Sequence, residues 1–173
     1  MAKRVFQTSI AYTTPTALGS LATQSQYMAV KAASATQLID ILEILVTGFS
    51  AASAYWGGVF ARASTNETGA QTALAAPNSD GPASPFSAAL AAPVQTFIVS
   101  ATNAPTPSSA PADTKENVGM NAFGGELRVN YAPTQQWQIF GTATPFAESV
   151  LFNDSGRGGV SSSVNTNIKY EPY

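Results

Sequence analysis

The sequence predicts a mainly β protein, an antiparallel sandwich or jelly roll built as a single domain over residues 1–173. Two observations carry that prediction. Short stretches in which apolar and polar residues alternate with a period of two recur along the chain. Clusters of Gly, Pro, Asn and Asp separate them at near-regular intervals, as expected for sandwiches and barrels. A chain of 173 residues is the size of one ordinary domain and can bury a sizeable core.

The elements follow in order. From Val5 to Tyr12, Phe6, Ile10 and Tyr12 fall on even positions with Thr and Ser between them, which predicts a first strand. Pro15 ends it, because proline lacks a ladder donor and restricts the residue before it. A second strand is predicted over Tyr27–Ala32. The segment Gln37–Gly48, QLIDILEILVTG, admits two readings. Asp40 and Glu43, three apart among apolar residues, suit an amphipathic helix. Ile39, Ile41, Ile44 and Val46 are β-branched and favour a long strand, with a bulge near Glu43 that lets the inward face change phase. A β-rich continuation runs through Tyr55–Phe60.

Residues 77–113 collect seven prolines among Ala, Ser and Thr, the composition of an extended insertion or arm. Val94–Val99 interrupts it as a strand, and the flanking prolines suggest an edge position or an arm reaching a neighbour. Asn121–Tyr131 reads as a half-buried strand on the alternation of Glu126, Arg128 and Asn130 with Leu127, Val129 and Tyr131. Gln135–Gly141 follows after a connection short enough for a hairpin, and Ala147–Asn153 makes another strand. The chain closes on VSSSVNTNIKY, where Val160, Val164, Ile168 and Tyr170 occupy even positions.

Composition bounds the chemistry. Charged residues are 10% of the chain, against roughly 25% in an average soluble protein. The surface is therefore made of Ala, Ser, Thr, Asn and Gln, which suits lying against other protein. Net charge is −2 with no basic patch, so no nucleic-acid partner is expected. There is no Cys, which removes disulfides, thiolate metal sites and Cys nucleophiles. There is no His, the commonest general base and transition-metal ligand. No stretch approaches the roughly 18 apolar residues of a membrane helix, and the N-terminal residues lack the apolar run of a signal peptide, so a soluble chain without a membrane partner is expected.

No motif in the chain supplies a reaction. Asp154–Val160, DSGRGGV, has the glycines of a phosphate cradle but neither the Lys of a Walker loop nor the helix a dinucleotide fingerprint requires, and a hairpin loop is the expectation. Gly48–Ala52 begins like a nucleophile elbow, yet Ala52 stands where the second Gly belongs and no His could activate Ser50. Asn66-Glu67-Thr68 is a formal glycosylation sequon without a secretory signal. Asp40 with Glu43, and Glu116 with Glu126, are the carboxylate pairs worth naming, and both read as solvated charge. No catalytic residue, metal site or cofactor is expected. Aromatic residues on strands serve as core or as interface. Trp56, Phe97, Trp137, Phe140, Phe146, Phe152 and Tyr170 are the candidate interface set.

Four stretches together resemble virion structural proteins of tailed bacteriophages: QLIDILEILVTGFSAASAYWGGVFARAS (Gln37–Ser64), NAFGGELRVNY (Asn121–Tyr131), GTATPFAESVLFNDSGRGG (Gly141–Gly159) and NIKYEP (Asn167–Pro172). The resemblance is compositional and positional and covers about the second quarter and the last third of the chain. It implies a small β-sandwich subunit of the particle with no catalytic residues. The expected function is capsid decoration: a trimeric cement protein on the outer surface of the phage head, binding the major capsid protein at junctions between its subunits after assembly in the host cytoplasm. Two rivals are a spike or fibre head that binds a host-surface receptor or glycan, and a hydrolase in which two of Asp40, Glu43, Glu116, Glu126 and Glu148 converge in a cleft.

Overall fold

The computed structural model describes residues 5–13, 26–32, 38–63, 71–73, 94–99, 113–131, 135, 137–140, 149–154 and 162–172. These residues form eleven strands: β1 (Phe6–Thr13), β2 (Gln26–Ala32), β3 (Leu38–Gly48), β4 (Tyr55–Ala63), β5 (Gln71–Ala73), β6 (Val94–Val99), β7 (Asp113–Asn121), β8 (Glu126–Asn130), β9 (Trp137–Phe140), β10 (Ser149–Asp154) and β11 (Ser163–Pro172). Every pairing is antiparallel. The protein is mainly β, as its alternation pattern predicts.

The strands fall into two sheets. The first runs β1-β11-β3-β8, with β9 also pairing with β3. The second runs β5-β6-β2-β10-β4-β7. One buried apolar cluster draws on both sheets. Phe6, Ile39, Ile41, Ile44, Val46, Trp137, Val164, Ile168 and Tyr170 come from the first, and Val30, Trp56 and Phe60 from the second. β11 shows why the alternation was legible: Val164, Thr166, Ile168 and Tyr170 are buried while Ser163, Asn165, Asn167 and Lys169 are half-buried on the other face.

β3 settles the ambiguous segment as a strand. Its partner β11 pairs Lys169 with Glu43 and Tyr170 with Ile41, so Leu42 is an extra residue. That bulge shifts the phase of the inward face. Ile39 and Ile41 are buried before it on odd positions, and Ile44 and Val46 after it on even ones. Burying each such side chain is worth about 1.5–3 kcal/mol. The carbonyl oxygen of Leu42 is used: it accepts from the Tyr131 backbone N at 2.9 Å.

The bulge also divides the far edge of the sheet. β8 pairs with β3 from Glu43 to Thr47, and β9 pairs with β3 from Leu38 to Ile41. They lie end to end on one edge of β3, and this corrects the expected hairpin between them. The strand predicted over Asn121–Tyr131 is likewise shorter. Asn121 ends β7, residues 122–124 turn, and the alternating part alone is β8. β7 went unforeseen because DTKENVGMN lacks a clean alternation.

Two further expectations change. β6 is not the end of its sheet, because Gln71–Ala73 pairs with Phe97–Val99 outside it. β10 and β11 lie in different sheets, so the Gly-rich stretch between them joins two sheets and does not close a hairpin. Residues 155–161 of that stretch lie outside the described residues, as does most of 77–113.

Candidate contact surface

At one end of the molecule five strand ends from both sheets are tied together by the backbone. Gly48, the last residue of β3, donates from N to Gly125 O at 2.8 Å, and Phe49 N donates to Ser163 O at 2.9 Å. Ser50 N donates to Ala122 O at 2.9 Å, and Ala122 N donates to Ala54 O at 2.8 Å. The connection from β3 to β4 is thereby pinned to the turn between β7 and β8 and to the start of β11. Gly48 is required here, since a Cβ on it would run into the carbonyl group of Ala122. Gly124 has φ of 74°, the left-handed conformation that lets the turn reverse in so few residues.

Two side chains complete the lock. Asn121 Oδ1 accepts from Phe123 N at 3.0 Å and from Ala54 N at 3.4 Å, while its Nδ2 donates to Ser53 Oγ at 2.9 Å. Ser50 Oγ accepts from Ser163 N at 2.7 Å. What this scaffold presents is aromatic: Phe49, Tyr55 and Phe123 are 53%, 45% and 60% exposed, the large apolar residues that stand out to solvent among those described. Residues 48–55, 121–125 and 162–163 contain no charged side chain. An uncharged, hydrogen-bonded platform with three protruding rings can be buried against another protein without desolvating an ion, and ordering it costs little because the backbone is already fixed.

The aromatic residues picked out from the sequence lie elsewhere. Trp56, Trp137 and Tyr170 are 1%, 1% and 0% exposed within the single chain, so they belong to its own core and offer no surface to a partner. Tyr170 stacks on Phe6 with ring centroids 5.9 Å apart, and Trp137 meets Tyr131 edge-on at 5.4 Å. Burial pushes the Tyr170 phenol above its usual range. Burial and the neighbouring Glu116 carboxylate do the same to Tyr131. Phe97, Phe140 and Phe152 sit on β6, β9 and β10, with side chains outside the described set, and Phe146 lies outside the described residues altogether. Phe49 and Phe123 were passed over because they stand in Gly, Ser and Ala-rich turns; that placement was the available signal.

The described carboxylates are spread over both sheets. Glu43 lies between two cations, with Lys169 Nζ at 3.1 Å and Arg128 at 3.9 Å, and Arg128 also reaches Glu126 at 3.6 Å. This is an ion-pair ladder across β8, β3 and β11. Asp40 is 2% exposed, which corrects its reading as solvated charge. It stands in register with Glu171 on β11 and Gln138 on β9. Glu116 and Glu126 lie on different sheets, and Glu148 lies outside the described residues. Among the described residues no group of three or more His, Cys, Asp or Glu could hold a metal ion, and no helix is long and apolar enough to cross a membrane. No protein-family model, curated protein or solved structure matches the chain.

Proposed function

We propose that this chain is a structural subunit of a phage particle, a capsid decoration protein that docks on the outer surface of the head at junctions between major capsid subunits and stabilises the shell. The observation that carries the reading is the uncharged platform bearing Phe49, Tyr55 and Phe123. Interfaces are enriched in aromatic residues and depleted of charge at their centres, and a few rigid aromatic anchors supply most of the binding free energy. The low charge of the chain and its lack of His and Cys support a covering role over a chemical one. Two antiparallel sheets around a shared core support the sandwich architecture of such subunits, and a trimer fits the symmetry of shell junctions.

Purified protein added to empty shells lacking it should bind saturably at a fixed copy number and raise the rupture temperature. A Phe49→Ala/Phe123→Ala variant with an unchanged melting curve should bind at least tenfold more weakly. Shells that rupture at the same temperature with and without the protein would end the proposal.

A further inference from the structure

Among the described residues the two sheets have four ends, and three of them are blocked against pairing with another chain. β7 carries Asp113, Lys115 and Glu116, and a register shift opposite Phe60 and Ala61 makes Lys115 a bulged residue. The β8/β9 end is broken at Leu42 and carries Glu126 and Arg128. β5 is three residues long. Charges, bulges and short strands are the devices by which natural sheets keep their ends from adding foreign strands. β1 has none of them. It runs eight residues, FQTSIAYT, without a charge, a proline or a glycine, in unbroken register with β11 from Phe6 to Thr13.

We propose that β1 is a self-association edge, pairing with β1 of a second copy in antiparallel fashion about a twofold axis to join the two five-stranded sheets into one. The occupant follows from the charge pattern. In a twofold pair a strand faces its own sequence, and like charges directly opposite destabilise the pairing. β1 brings no charge into opposition anywhere along its length. Its exposed outward residues, Ser9 and Ala11, are small and set no bulky side chain beside an incoming strand. Centred on Ser9, the pair sets Ser9 against its equivalent and Gln7 against Ala11. Centred on Ile10, it sets Ser9 against Ala11. Both registers keep outward residues on one face, and both are antiparallel like every other pairing in the molecule. The aromatic platform is not used. The inference is separate from the shell reading: a free mass of three chains would overturn the β1 pairing and leave the shell reading standing, whereas trimers joined through β1 would weigh an even number of chains.

The test is the mass of the free protein by sedimentation equilibrium. Ser9→Lys/Ala11→Lys opposes lysines in both registers. The wild-type mass should be an even multiple of the chain. The lysine variant should have half that mass over the same concentrations, with an unchanged melting curve. Mixing it with Ser9→Glu/Ala11→Glu should restore the wild-type mass. A wild-type mass of one or an odd number of chains, lysine variants that associate as wild type does, or a mixture that fails to pair would overturn the proposal. Hydrogen exchange gives a second readout without any variant. β1 amides should lose protection on dilution while β11 amides keep theirs, and concentration-independent protection of β1 would also overturn it.

Discussion

Tyr55 and Trp56 are consecutive in the sequence and opposite in fate: one is 45% exposed and the other 1%. They stand for two sets of aromatic residues. The inward set, with Trp56, Trp137 and Tyr170, fills the space between the sheets. The outward set, Phe49, Tyr55 and Phe123, caps one end where the backbone is locked. Residue type does not separate the sets. Strand parity does so for Tyr55 and Trp56, and position in a turn does so for Phe49 and Phe123. Each member of the β4 pair also leans on a glycine: the Trp56 ring lies against Gly58 and the Tyr55 ring against Gly119. Under the proposed function the inward set governs stability and the outward set contact, and each change below tests that division.

The largest effect is expected from deleting Leu42. Without the bulged residue, a one-residue slip turns either Ile39 and Ile41 or Ile44 and Val46 away from the core. The chain should lose its cooperative unfolding transition in denaturant titrations; a preserved transition would show that the phase of β3 is set elsewhere. Next is Trp56→Ala, which should cost about 3–5 kcal/mol by chemical denaturation, since it removes a large buried side chain and leaves a cavity. Asn121→Ala removes three hydrogen bonds that hold the platform. It should cost about 1–3 kcal/mol and weaken shell binding beyond what the lost stability explains.

The pH dependence tests the inward tyrosines. Both phenols are raised above their usual value of 10.0 in the folded chain. Above that pH the unfolded chain ionises first, so the stability they contribute is full below about pH 10 and is lost as pH rises toward their folded values. The slope should approach about 1.4 kcal/mol per pH unit for each group. Tyr170→Phe should flatten the alkaline decline by one group's share. Its hydroxyl has no hydrogen-bond partner among the described residues, so the substitution should cost little at neutral pH. The smallest stability effect belongs to Phe123→Ala, expected within about 0.5 kcal/mol of wild type because the ring is largely in solvent. A large loss there would erase the distinction between the two sets.

Much of the fold could be read directly where one side chain in two faces the core. β1 and β11 follow from alternation, and the strand reading of Gln37–Gly48 with a bulge near Glu43 was one of two open alternatives, which the pairing of β3 with β11 decides at Leu42. Where the pattern is weak the reading failed for identifiable reasons. β7 mixes charge with Gly119, and β8 and β9 are close enough in sequence for a hairpin that the bulge in β3 forbids. The platform was not legible, because its parts are far apart in the sequence and are brought together by long-range hydrogen bonds such as Gly48 N to Gly125 O, Phe49 N to Ser163 O and Ser50 N to Ala122 O.

The sequence by itself determined that this chain is β, poorly charged, and without imidazole or thiol, because alternation and composition are local properties that need no partner. For Gln37–Gly48 it left a helix and a bulged strand both open. Only the tertiary structure decided which strands are neighbours, which aromatic residues are buried, and that the long uncharged strand β1 ends a sheet among the described residues. Those are outcomes of pairing between distant segments, and long-range pairing is chosen by the total area the two sheets bury together, a quantity no single stretch of the chain contains.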